Sequence, residues 1–378
     1  MNQHHKRELR FWTVVTVLVI TAFFVSRHFT QPPVVPDISG MPIAPATWDG
    51  QYPCISGGFA EGSAPPTLTK CSVPGENVPS TDGFEVDLRY GKFILRQTDL
   101  FIIDDLPVTL TRTYNSREWA HRNPVHAFGR NANHRYDIVP LGTRNPYTYQ
   151  VIFFEDGDSL YFPRISPGTS YADAAYRHSE SSGAYYGAVE QWEGQGWKLK
   201  RTDGLTVRFP DSYNATNTAQ GAPYEILGPK GRLVLKRNKV RDLEEIITEH
   251  GHFIRFQYDG QHRIVHAETD SGDWRVYRYN SDGMLTDVIT PRGVDRHYDY
   301  ADNLMTAVTD KRGGVLLRNS YDDDVLIRQE FLNSGSFRYE YRSGPSYFEQ
   351  ASIKMPGKKF VTIDTAASVP ASSKQPLK

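Results

Sequence analysis

The sequence predicts an all-β protein of stacked two-strand units, each about 21 residues long, led by a β-rich domain and an N-terminal transmembrane helix. Three observations predict it. Tyrosines stand at Tyr258, Tyr279, Tyr300, Tyr321 and Tyr341, the first four spaced by 21 residues and the last by 20. Around each, apolar and polar residues alternate with period two, the signature of a strand with one buried face. The composition favours strands and turns, with 22 Tyr, 19 Phe, 30 Gly and 24 Pro in 378 residues.

The N-terminus comes first in the chain. Phe11 to Val25 is an uncharged apolar run between Lys6, Arg7, Arg10 and Arg27. As a helix it spans roughly 22 Å, short of a hydrocarbon core of about 30 Å, and snorkelling arginines close the difference. Residues 1–29 are therefore expected to be a signal-anchor with a cytoplasmic N-terminus. A cleaved signal peptide is the alternative. The expected location is a bacterial inner membrane, crossed once, with the rest of the chain periplasmic or surface-exposed.

Residues 30–82 are rich in Pro, Gly and Ser and read as a stalk. Cys54 and Cys71 are the only cysteines. In an exported chain they are expected to form a disulfide, worth about 3 kcal/mol by chain entropy, with two free thiols as the other reading. Two cysteines are too few for a zinc ribbon. The formal net charge of −1 gives no electrostatic pull toward nucleic acid, so none is expected as a partner.

Residues 83–235 hold short β-like runs, among them FILRQTDLFIID, PVTLTRTYN, YTYQVIFFEDGDSLYFPR and GWKLKRTDGLTVRFPD. The Asp-Gly pairs in EDGDSLYFP and TDGLTVRFP mark hairpin turns. KVRDLEEIITEHG is the nearest thing to a helix, and the repeat register makes it a strand.

Residues 236–345 carry the repeats. Two positions before the tyrosines stand Phe256, Tyr277, Tyr298, Asn319 and Tyr339, and two before those Ile254, Arg275, Arg296, Leu317 and Phe337. Phe256, Tyr258, Tyr277, Tyr279, Tyr298, Tyr300, Tyr321, Tyr339 and Tyr341 thus form an aromatic ladder on one face. Glycines at 251, 272, 293, 314 and 335 sit where tight turns are needed. A single unit cannot cover its own aromatic face, so neighbours must stack on it. A sugar-binding aromatic platform is the competing reading. Residues 346–378 are expected to be an edge segment and a disordered tail.

These residues resemble the RHS/YD-repeat family of bacterial proteins. The runs RFQYDGQHRI, RYNSDGML and YADNLM follow its repeat, and TDLFIIDDLPVTLTRTYNSR followed by FGRNANHRYDI is similar to the domain that leads into such repeats. Arg112, Tyr114, Asn115, Ser116 and Arg117 form the lead-in run. Gly129, His134, Tyr136 and Asp137 match its second segment, with Asn133 where the pattern has Trp. The likeness spans roughly residues 84–342. It implies a β-sheet shell wall, which in large members encloses a C-terminal toxin and ends in a self-cleaving Asp-Pro-x-Gly core. No such motif follows Tyr341 here.

Catalytic and metal signals are weak. His121, His126 and His134 lack the helical spacing of a zinc protease. Asp322, Asp323 and Asp324 fall on a repeat turn and lack the glycine and distal glutamate of a calcium loop. No nucleophile elbow, P-loop or dinucleotide fingerprint is present. Arg112 and Arg117 read as partners inside the sheet, or as binders of an anion. No cofactor or metal is expected. The expected function is a non-enzymatic, membrane-anchored envelope module that binds a protein partner or cell-wall glycan. A split shell or remnant of a toxin-delivery protein is the second reading, and a glycan-active enzyme the third.

Overall fold

The computed structural model describes residues 53–58, 66–70, 83–117, 127–143, 146–180, 183–213, 215, 218–332, 334–344 and 347–365. Among these, no helix is long and apolar enough to cross a membrane. The transmembrane segment expected at Phe11 to Val25 lies outside the described residues, as do His121, His126 and Cys71.

The described residues form three antiparallel sheets. The first contains β1 (Pro53–Gly58), β2 (Thr67–Lys70), β3 (Gly83–Asp87), β4 (Lys92–Ile102), β5 (Val108–Asn115) and β6 (Ala132–His134), in the order β2-β1-β3-β4-β5-β6. The second is a meander of β7 (Val139–Gly142), β8 (Tyr149–Phe153) and β9 (Ser159–Pro163).

The third sheet has 18 strands, each hydrogen-bonded to its neighbours in sequence. It opens with β10 (Ala175–Arg177), β11 (Val189–Trp192), β12 (Gly196–Lys200), β13 (Thr206–Pro210), β14 (Glu225–Leu227) and β15 (Arg232–Arg237). The repeats follow as β16 (Leu243–Thr248), β17 (Phe253–Tyr258), β18 (Ile264–Thr269), β19 (Trp274–Tyr279), β20 (Leu285–Thr290), β21 (Gly293–Ala301), β22 (Leu304–Asp310), β23 (Val315–Asp322), β24 (Val325–Phe331) and β25 (Gly335–Ser343). It closes with β26 (Phe348–Lys354) and β27 (Phe360–Asp364). The sheet thus runs unbroken across residue 235 and begins about eighty residues before the first tyrosine of the period, Tyr258. KVRDLEEIITEHG supplies strand β16.

Each repeat is pinned by two turns. At one end, in three of the units, the residue after the tyrosine or its equivalent folds the turn around its own side chain. Asn238, Asp259 and Asn280 each accept two backbone N–H bonds from residues two and four ahead. That Asx turn explains why an acid or amide suits the position. At the other end a glycine adopts positive φ: Gly251, Gly272, Gly293, Gly313 and Gly335. The fourth is Gly313, where the 21-residue spacing points to Gly314. The turn amides of Arg312 and Gly314 both bond Asp310, which places the left-handed residue one position earlier.

The main core lies between the first sheet and one face of the repeat sheet. Phe84, Leu95, Leu110 and Phe128 meet Ile254, Phe256, Tyr277, Leu317 and Phe337 there. A second core, with Phe154, Phe162, Tyr176 and Trp197, lies under β7–β13. Cys54 belongs to it; this cysteine is buried and disulfide-bonded.

Candidate interaction site

The tyrosine ladder is a set of rivets. In four of the repeat hairpins the pairing slips by one residue beside the tyrosine: after Gln257, Arg278, Asp299 and Ser320. The extra residues are Val265, Thr286, Thr306 and Ile327 on the returning strands. Such a bulge interrupts the hydrogen-bond ladder, and the displaced backbone groups need other partners. The tyrosine of the next unit supplies one. Tyr258 Oη donates to the Leu243 carbonyl at 3.0 Å, Tyr279 to Ile264, Tyr300 to Leu285 at 2.7 Å and Tyr321 to Met305 at 3.0 Å. Tyr341 breaks the series: its hydroxyl is buried without a hydrogen-bond partner, and its ring stacks on Phe348 at 4.6 Å.

The lead-in segment supplies the other partner. The N–H just before three of these extra residues (Val265, Thr306 and Ile327), and that of Phe348 before the extra Glu349 of the β25–β26 pairing, points at the first sheet or its loops. Ile264 N donates to the Ala127 carbonyl at 2.7 Å, Leu326 N to Gly91 at 2.9 Å and Phe348 N to Arg89 at 2.7 Å. Met305 N donates to Tyr114 Oη at 3.0 Å. Two glycines permit this approach. A Cβ on Gly129 would lie 2.4 Å from the Gly283 carbonyl oxygen, and one on Gly91 2.5 Å from Val325; both residues also have positive φ.

Arg112 lies at the centre of the seam. Its guanidinium grips Asp99 with two bonds of 3.1 Å and also reaches Gln97 and Tyr298 Oη. Tyr277 Oη donates to the same Asp99 at 2.9 Å, and Tyr298 Oη donates to Gln97. Burial raises the pKa of both phenols, so they act as neutral donors. Ladder positions 277 and 298 are therefore core positions with a polar tip, and so is 339, where Tyr339 Oη donates to Gln329. Phe256 contributes its ring alone, stacked over His134.

The remaining lead-in residues serve the same joint. Ser116 exchanges two bonds with the backbone of Phe93. Asn115 donates to the Asp156 carbonyl at 2.6 Å. Arg117 bridges Asp324, in the repeat turn at 322–324, to the Tyr90 carbonyl. Asp137 accepts from Arg237 at 2.8 Å, and Tyr136 donates to the Thr109 carbonyl. His134 is fully buried, and desolvation pushes its pKa down, so it packs as a neutral ring. The acids of the EDGD turn do more than shape a hairpin. Asp158 pairs with Lys92 at 2.6 Å and Asp156 with Arg96 at 2.8 Å, tying the second sheet to the first.

One group of possible metal ligands occurs among the described residues: Asp104, Asp105 and His250. Sequence spacing gives no hint of it, since His250 is 146 residues from Asp104. The His250–Asp104 contact of 2.6 Å raises the histidine pKa, and hydrogen bonding to Thr248 and then His250 lowers that of the acid. An ion pair joining the β4–β5 loop to the β16–β17 turn accounts for the arrangement.

The two ends of the long sheet differ. At β10 the chain is continued by the second sheet through an Arg164–Tyr176 bridge and an Ile165 N–H bond to Ala175 of 2.8 Å. At the other end β27 pairs with β26 alone among the described strands. Val361 lies opposite Ile353, which is 1% exposed, yet Val361 is 41% exposed. Among the described residues nothing covers the apolar face there. Phe360 beside it is also exposed. This open edge is the candidate interaction site.

A family model described as a domain of unknown function (DUF6531) matches residues 83–162. The match covers 80 residues of the 378 and starts where β3 does. Among solved structures, the Photorhabdus luminescens Tc holotoxin pore, with a mutated TccC3 component, aligns at 12% identity and a TM-score of 0.29. The alignment covers 74% of this chain and 17% of that one. At that TM-score the likeness establishes no common fold.

Proposed function

We propose that this chain is a non-catalytic wall segment of an RHS-related shell, which binds another polypeptide through the open edge at β27. One observation carries the reading: among the described residues a long sheet capped at β10 ends at β27, a strand paired on one side only, whose inner-face valine is left half open. Unpaired edges with apolar side chains recruit strands. The use of Arg112, Tyr114, Asn115 and Arg117 to lock the two sheets together supports a scaffold over a catalyst. The partner is a strand of a second shell chain, as in a split toxin-delivery shell. Membrane anchoring through Phe11 to Val25 is part of the same proposal and would hold the segment at the envelope.

The test replaces Val361 with lysine in the full-length tagged protein. An inward-pointing charge on an edge strand opposes strand addition, while the half-open site tolerates it in the folded chain. Sedimentation and affinity capture from native membranes are compared for both forms. The expected result is a stoichiometric polypeptide, a second copy or a distinct chain, held by the native protein and lost from V361K. Equal capture by both, or none by either, refutes the edge as the site.

A further inference from the structure

The inner face of the repeat sheet departs from its own pattern at two adjacent units. At the row two positions before the buried ring, Ile254, Leu317 and Phe337 are at most 2% exposed. The equivalent residues on β19 and β21 are Arg275 and Arg296, with side chains 17% and 16% exposed. A row that is apolar elsewhere has two cations where the first sheet's Asp99–Arg112 pair meets it. Local departures from a repeat pattern mark function more often than stability.

These arginines line a cavity of about 440 Å³, a volume suited to a small ligand. Five of its lining side chains are cationic and three are carboxylates. Asp99 is already gripped by Arg112 and Tyr277. Arg275 uses a single nitrogen, Nη1, for Asp273 and for the Trp274 carbonyl. With β20 between them, the two arginine-bearing strands lie roughly 10 Å apart, so the guanidinium groups can close on one ligand from opposite sides. Val288 of β20 lies between them in the lining.

A second observation points the same way. Gln97, which is 2% exposed and lines this cavity, accepts from Arg112 and Tyr298 through Oε1. Those two donors fix the amide orientation. Its Nε2 is then a buried donor with no hydrogen-bond partner, and such a group calls for an acceptor.

We propose that this cavity binds a small oxyanion, a carboxylate or phosphate group, between Arg275 and Arg296, with Gln97 Nε2 donating to it. The site is independent of the edge at β27.

The experiment uses the full-length protein and two probes, citrate and inorganic phosphate, against sodium chloride at matched ionic strength. Thermal midpoints and equilibrium dialysis are the readouts. At a probe concentration about 100 times Kd, the native midpoint rises by about 5 °C. Which probe achieves this identifies the carboxylate or the phosphate chemistry. The R275L/R296L variant completes the apolar row, so it keeps or raises the basal midpoint and loses the shift. The milder R275Q variant binds about 10-fold more weakly, the loss expected for one charge-assisted contact. A shift that chloride reproduces, or that persists in R275L/R296L, means an adventitious ion only and overturns the proposal. No binding of either probe by the native protein overturns it as well.

Discussion

Replacing Arg112 with methionine removes the charge at the centre of the seam and keeps most of the side chain's volume. Arg112 and Asp99 are 2% and 6% exposed at their side chains and share two bonds of 3.1 Å. Breaking a buried pair by deleting one partner costs about 3–5 kcal/mol, because the other charge stays buried and uncompensated. Tyr277 Oη still donates to Asp99 at 2.9 Å, which places the expected loss near the lower bound, about 3 kcal/mol. Removing the stranded charge as well should recover much of this. The D99N/R112M double variant is therefore expected to be more stable than R112M by about 1–2 kcal/mol. Urea unfolding followed by intrinsic fluorescence measures both, provided the slope with denaturant stays constant. A loss below about 1 kcal/mol in R112M, or no recovery in the double variant, would refute the view that a buried charge pair holds the two sheets in register.

Two further predictions follow from the same interior. Tyr279→Phe leaves the ring and removes the bond to the Ile264 carbonyl, so it costs about 1 kcal/mol. Tyr321→Phe costs the same, and the two add because about 19 Å of sheet separates them; a neutral result at both sites would show the bulges satisfied some other way. Glu190 is fully buried, and desolvation pushes its pKa up to about 8. A neutral Glu190 donates to the Gln150 amide oxygen, whereas an ionised one accepts from the amide nitrogen, 3.0 Å away once that amide is turned. Because the folded state holds a proton that the unfolded chain releases near 4.5, the contribution of Glu190 to stability is greatest at low pH and declines from about pH 4.5 to about pH 8. The decline is on the order of 5 kcal/mol, and Glu190→Gln should flatten it. Equal slopes for both proteins in urea titrations across this range would count against a buried proton at Glu190.

The repeat was legible because its signal is local: period-two alternation and a tyrosine every 21 residues both act over distances a reader of sequence can see. The buried or half-buried placement of Tyr258, Tyr277, Tyr298 and Tyr339 follows from that register. The strands from β10 to β14 carry no such period, so the continuity of the sheet upstream of residue 235 was hidden. The seam was hidden for a different reason. Asp99 meets Tyr277 across 178 residues and Arg117 meets Asp324 across 207, and no spacing rule spans such distances. Gly313 replaced Gly314 because the Asp310 side chain, and not the period, sets that turn. One signal of the proposed anion pocket lies in the sequence itself: Arg275 and Arg296 occupy rows that the alternation reserves for apolar residues.

The meander gives the seam a role in how the protein is built. Within the long sheet every strand pairs with the strand just before it, so each can add as soon as it leaves the ribosome. The first sheet and its loops are made before the repeats and carry a row of acceptors: the carbonyls of Ala127, Gly91 and Arg89, and the Tyr114 hydroxyl. Four of the arriving hairpins find one of them opposite the bulge. The lead-in segment is thus a template that meters the strands, and a repeat displaced by one residue would present its bulge to the wrong notch.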